Sequence, residues 1–110
     1  MARPIQQQII LRALEIVSDE NRWTAATLAR DQHGRSCPVH APEAVRFCAV
    51  GALARAASEL LGDRANHSLV AQIENTVLAA DGQQRLTLAH INDQQGRQAI
   101  IELFRKALAV

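Results

Sequence analysis

The stretch from Pro42 to Gly62, PEAVRFCAVGALARAASELLG, limits most strongly what this chain can fold into. Ala, Leu and Val dominate it. Ala44, Phe47, Cys48, Gly51, Ala52 and Ala54 cover more than one helical face, and Arg46, Arg55 and Glu59 leave only a narrow polar strip. A helix that is apolar nearly all round is a buried one, so the pattern predicts a central helix over 42–62. Pro42 suits a first turn, Glu43 the positive end of the dipole, and Gly62 the left-handed position past the end. Gly51 costs about 1 kcal/mol against Ala in a helix interior. A second backbone or a bound group passing close to it would offset that cost. Cys48 lies one turn before Gly51 on the same face, and its plainest reading is a small buried hydrophobe.

The rest of the chain must supply the walls around that helix. At 110 residues it reads as one domain, 1–110, long enough for a core without staples. Aromatic residues make up only 3% and tyrosine is absent, so Ala and Leu fill the interior, which favours helices over a sheet. A first helix over 4–19 follows from Ile5, Ile9, Ala13, Ile16 and Val17 at the helical period. A third, capped by Asn66 or Ser68, runs to about Ala80 on Leu69, Val70, Ile73, Val77 and Leu78, and Gly82 ends it. A last helix over 97–109 presents Ile100, Ile101, Leu103, Phe104, Ala107 and Leu108. Trp23 is expected to anchor the segment after the first helix, its indole N–H reaching a partner. Residues 24–41 form an irregular insertion, with a short helical turn over 25–30. Leu86, Leu88 and Ile91 suggest an extended piece, and Asn92-Asp93-Gln94-Gln95-Gly96 a turn. The expected fold is therefore mainly α: a compact bundle of about four helices around a buried one. Any sheet would be a minimal pairing of 35–39 with 86–90.

The net charge is +1 with no charge run, which argues against a sequence-independent nucleic-acid binder. No apolar run reaches the length of a membrane span, and MARPIQQQII lacks the pattern of a signal peptide. Two cysteines without an export signal make a reduced, cytoplasmic setting the expectation, with no Cys37–Cys48 disulfide.

Several residues together resemble a bacterial family recorded only as a domain of unknown function. They are Trp23, then Ala29-Arg30-Asp31 and Gly34, then the run from Ala44 through Cys48-Ala49-Val50-Gly51-Ala52-Leu53, and later Asn92-Asp93 before a terminal helix. The match runs from about Ile9 to Leu108. An aromatic residue often precedes both Cys and Asn in that pattern; Phe47 keeps the first, and Ile91 replaces the second. The resemblance implies no activity. It implies that Trp23, Cys48, Gly51, Asn92 and Asp93 belong to one feature, a candidate ligand site.

Three constellations bear on chemistry. Cys48 would be a nucleophile if its helix began as late as Phe47, where the dipole would lower its pKa; His90 and Asn92 would then serve as base and orienter. If the helix begins at Pro42, that electrostatic footing is lost. His33, Cys37, His40 and Cys48 have zinc-ligand chemistry within sixteen residues, but Cys37-Pro38-Val39-His40 is not a familiar knuckle, and neither metal nor cofactor is expected. Asn92 and Asp93 are read first as caps for the last helix. The function expected is a binding or regulatory module contacting a protein or a small ligand, with the cysteine hydrolase or transferase as the alternative. The small residues of the central helix would also permit pairing with a second copy.

Overall fold

The computed structural model describes residues 3–109; the domain expected over 1–110 takes in Met1, Ala2 and Val110, which lie outside them. The elements in chain order are α1 (Ile5–Ser18), β1 (Ala29–Arg30), β2 (Arg46–Phe47), α2 (Ala49–Leu61), α3 (His67–Ala80), α4 (Leu88–Gln95) and α5 (Arg97–Ala109), with single 3-10 turns at Glu20–Arg22 and Gly62–Arg64. The architecture is mainly α, as the composition implies. Helix α1 packs chiefly on α2 and α5, and α3 and α4 both lean on α5. One cluster of buried side chains joins them: Ile9, Ile16, Leu53, Ile73, Ile91 and Phe104 are all sealed from solvent.

Helix ends follow the local chemistry. Asn66 Oδ1 accepts the Leu69 N–H at 2.9 Å and opens α3. Thr87 Oγ1 accepts the His90 N–H at 3.1 Å and opens α4. Arg97 donates to the Val17 and Ser18 carbonyls at 3.3 and 2.9 Å, satisfying the end of α1 from the far side of the chain. A C-terminal carbonyl otherwise has no intrahelical donor.

Four sequence expectations are corrected. The central helix begins at Ala49, not Pro42. Residues 42–48 are held out of the helix by bonds to the insertion: Val45 N–H donates to Arg30 O at 2.9 Å, Cys48 N–H to Leu28 O at 3.2 Å, and Phe47 O accepts Thr24 N–H at 3.1 Å. Arg46 and Phe47 thus pair antiparallel with Arg30 and Ala29. Tertiary pairing overrides the propensity of an alanine-rich segment. The minimal sheet is therefore 29–30 with 46–47, not 35–39 with 86–90, and 25–30 is not a helical turn. Residues 88–95, expected as an extended piece and a turn, form α4, so Asn92 and Asp93 sit inside a helix.

Gly51 meets the first of the offsets expected for it. A Cβ there would stand 2.0 Å from the Leu28 carbonyl oxygen, so the insertion's backbone lies directly on α2. Ala52, Ala56 and Ala57 are fully buried in the same chain, and the small-residue face imagined for a second copy is covered from within. Gly51→Ala should lower stability by about 1–3 kcal/mol in denaturant melts through overpacking. Helix propensity alone would move it about 1 kcal/mol the other way, so the sign of the measured change decides which effect governs.

Candidate functional site

The start of α2 is the point where the expected site residues meet. Cys48 is its N-cap, with extended backbone. Its Sγ accepts the Gly51 N–H at 3.3 Å, so the thiol takes the place a serine hydroxyl usually fills at such a position. The Ala49 N–H, also without an intrahelical acceptor, donates to Asn92 Oδ1 at 2.9 Å. The same oxygen accepts the Trp23 indole N–H at 2.9 Å. The Asn92 amide nitrogen donates to Thr24 O and to Asp93 Oδ1, each at 3.1 Å. Asn92 is fully buried, and its two lone-pair sites and two N–H groups are all used, the full capacity of an amide.

Asp93 extends the knot outward. Its Oδ1 also accepts the Ala26 N–H at 2.9 Å. Ala26 has φ of 69°, the one non-glycine residue in the left-handed region among those described. That conformation costs on the order of 1–3 kcal/mol and persists only where surroundings enforce it. Arg30 enforces the same loop from the other side. It donates to Thr24 Oγ1 at 2.8 Å, Gly34 O at 2.9 Å and Ala25 O at 3.1 Å. Asp31 closes the tip, its carboxylate accepting the His33 and Arg35 N–H groups at 2.8 and 3.0 Å. On the inner side, the guanidinium of Arg55 lies 5.6 Å from the Phe47 ring centroid and that of Arg22 6.0 Å. Arg55, part of the narrow polar strip of the central helix, also donates to Val39 and Ala41 carbonyls at 2.9 and 3.2 Å.

Trp23, Cys48, Gly51, Asn92 and Asp93 are thus brought together, and Asn92 and Asp93 work across the chain and not as local caps of α5. His90 is not part of the knot. It is exposed, and among the described residues its ring makes no hydrogen bond to Cys48 or Asn92. Cys48 has the late helix start that favours a thiolate, but it is only 4% exposed. Burial pushes its pKa up and the Asp93 charge adds to this, while the Gly51 and Val50 N–H groups pull it down without prevailing. Both cysteines are free. Among the described residues no three His, Cys, Asp or Glu side chains gather to hold a metal ion, so His33, Cys37, His40 and Cys48 do not form the zinc set considered from spacing.

A separate feature escaped the sequence. Leu28, Val39, Val50, Ala54 and Val70 line a cleft of about 250 Å³ between the insertion and helices α2 and α3, with His40 and His67 beside them. A second depression of about 260 Å³, reaching Ala65 and Asn66, shares His40, Ala54, His67 and Val70 with it. The signal available was the 48% exposure of Leu28, which no local pattern could foretell. A larger concavity of about 710 Å³ between the start of α1 and the ends of α3 and α5, lined by Ile5, Gln7, Thr76 and Ala80 among others, shares no residue with either feature and holds no ionisable group.

Fold and site together define a small helical domain in which a central helix is locked at its N-terminus by a buried asparagine. The model of the family of unknown function DUF6197 matches residues 1–110, and the chain belongs to that family. No curated protein and no solved structure matches it. No helix of the described residues is long and apolar enough to cross a membrane.

Asn92→Ala would leave the Ala49 and Trp23 N–H groups and the Thr24 carbonyl without their partner. At about 1–3 kcal/mol per unsatisfied buried group, a loss of at least about 3 kcal/mol is expected in denaturant unfolding followed by the fluorescence of Trp23, the single tryptophan. A second outcome concerns acid. The Ala26 N–H, and then the Asn92 amide, hold the Asp93 carboxyl below its ordinary value of 3.8. A carboxyl lowered on folding contributes stability that is in place above the ordinary value and lost as pH falls through the folded one. Asp93→Asn should therefore flatten part of the decline in stability below about pH 4. Asp31 and Asp81 keep the remainder, lowered chiefly by the Arg35 N–H and the Lys106 ammonium respectively.

Proposed function

We propose that this chain is a binding or regulatory module of the cytoplasm, without chemistry of its own, acting through contact with a small ligand or a protein. The observation that carries this reading is the full use of the Asn92 amide inside the fold, beside a buried Cys48 thiol already committed to capping α2. Groups already bonded to backbone have little left for a reacting substrate, whereas the cleft beside Leu28 is open and mostly apolar. Small-ligand sites have that character: an apolar lining with a few placed polar groups. On this reading Trp23, Cys48, Gly51, Asn92 and Asp93 serve the ligand by holding the cleft's wall in place.

The alternative is a cysteine hydrolase or transferase using Cys48, His90 and Asn92. One observation favours it: Cys48 stands at a helix N-terminus, where thiols are acidified. Against it stand the burial of the sulfur and the raised pKa. Iodoacetamide labelling of the native protein, mapped by mass spectrometry, separates the two. The half-buried Cys37 should alkylate while Cys48 stays unmodified until the protein unfolds. Cys48→Ser should keep the fold, because a serine hydroxyl caps the Gly51 N–H at least as well. Rapid alkylation of Cys48 in the folded state would sink the binding-module reading in favour of the enzyme.

A further inference from the structure

The cleft between the insertion and helices α2 and α3 is chemically lopsided. Its floor is aliphatic, from Leu28, Val39, Val50, Ala54 and Val70. The ionisable side chains lining it and the adjoining depression are His40 and His67 alone; no carboxylate takes part. Both histidines are exposed, and among the described residues neither ring enters a hydrogen bond within the chain. That sets them apart from Arg30, Arg55, Asn92 and Asp93, whose polar atoms are bonded to the chain itself. His67 also opens α3, where the helix dipole adds positive potential.

An apolar floor with ring N–H donors and no anion beside them is complementary to a molecule with an aliphatic body and one negative end. The volume narrows the choice. At about 250 Å³ the cleft falls just below the range of drug-sized sites, about 300–1,000 Å³, so it suits a small acid better than a cofactor or a folded partner. We propose that the cleft binds a medium-chain aliphatic carboxylate, its tail against Val50, Ala54 and Val70 and its carboxylate between His40 and His67. This rests on the reading of the chain as a binding module and names the ligand class of its cleft.

The test is a titration of the full chain, 13C-labelled at methyl groups and histidine rings, with sodium octanoate and separately with 1-octanol, followed by NMR. Octanoate should give saturable shifts at the Val50 and Val70 methyls and at the His40 and His67 rings, with a Kd in the millimolar range or tighter. Octanol should bind more weakly. The double variant H40A/H67A, altered only at exposed side chains, should keep the melting temperature. It should weaken octanoate at least about tenfold, the scale of losing charge-assisted hydrogen bonds, and leave octanol unchanged. Ala54→Phe, which fills the cleft, should abolish both. Equal binding of octanoate to the parent and to H40A/H67A overturns the carboxylate assignment while the cleft remains a binding site. Shifts with neither probe, or shifts confined to another face, overturn the assignment and remove the cleft from the module reading as well.

Discussion

The arrangement depends on one oxygen. Asn92 Oδ1 accepts from the first N–H of α2 and from the indole of Trp23, and so ties α4 to two segments far from it in the chain. The same amide's nitrogen reaches back to Thr24, so α4 grips both the beginning of the insertion and the beginning of the central helix. An aliphatic side chain at 92 would pack comfortably in such a core, but it would leave two donors and one acceptor unpaired. Buried polar groups without partners cost more than the net value of the bonds they lose. The amide therefore fixes where α2 starts: the bonds at Ala49 and Cys48 are in place only if the helix begins there.

From that start the insertion takes its course. Leu28 O accepts the Cys48 N–H and lies so close to Gly51 that only glycine fits beneath it. The Leu28 side chain forms a wall of the cleft with Val50 and Val39. One residue thus has its backbone clamped against α2 and its side chain exposed at the cleft. Arg30 and Asp93 hold the two flanks of the same loop, and the strain at Ala26 is contained between them. The knot and the cleft are two faces of a single segment, rigid on the inside and open on the outside.

Sequence patterns located α1, α3 and α5 to within a residue or two, because each carries a one-sided apolar stripe and an end signal that acts locally. Asn66, Gly62 and Gly82 stood at the boundaries their chemistry implies. The errors lie where distant partners decide. Nothing within 42–48 announces that its N–H groups will be taken by Arg30 and Leu28, so Ala-rich composition argued for helix. At 86–95 the turn-forming Asn92, Asp93 and Gly96 masked a helix that Thr87 and the Leu88–Ile91 spacing did signal. Trp23, Cys48, Gly51, Asn92 and Asp93 were legible as one feature through the family resemblance, but their roles were not. A cap, a buried amide acceptor and a catalytic thiol use the same residue types, and they differ only in what the remaining lone pairs and protons touch.

That distinction bears on the chemistry available to the chain. A thiol at a helix N-terminus gains acidity when the helix N–H groups face a charge that solvent or substrate can also reach. Here those N–H groups are already bonded, one to the sulfur and one to Asn92, and the sulfur is sealed. Desolvation raises the pKa of any thiol that cannot share its charge with water, and a nearby carboxylate, Asp93, works in the same direction. Burial and the Asp93 carboxylate outweigh the pull of the Gly51 N–H that caps the helix, and the thiol's pKa stays raised. The Asn92 amide and the Leu28 carbonyl that hold this helix start also hold the segment that lines the cleft.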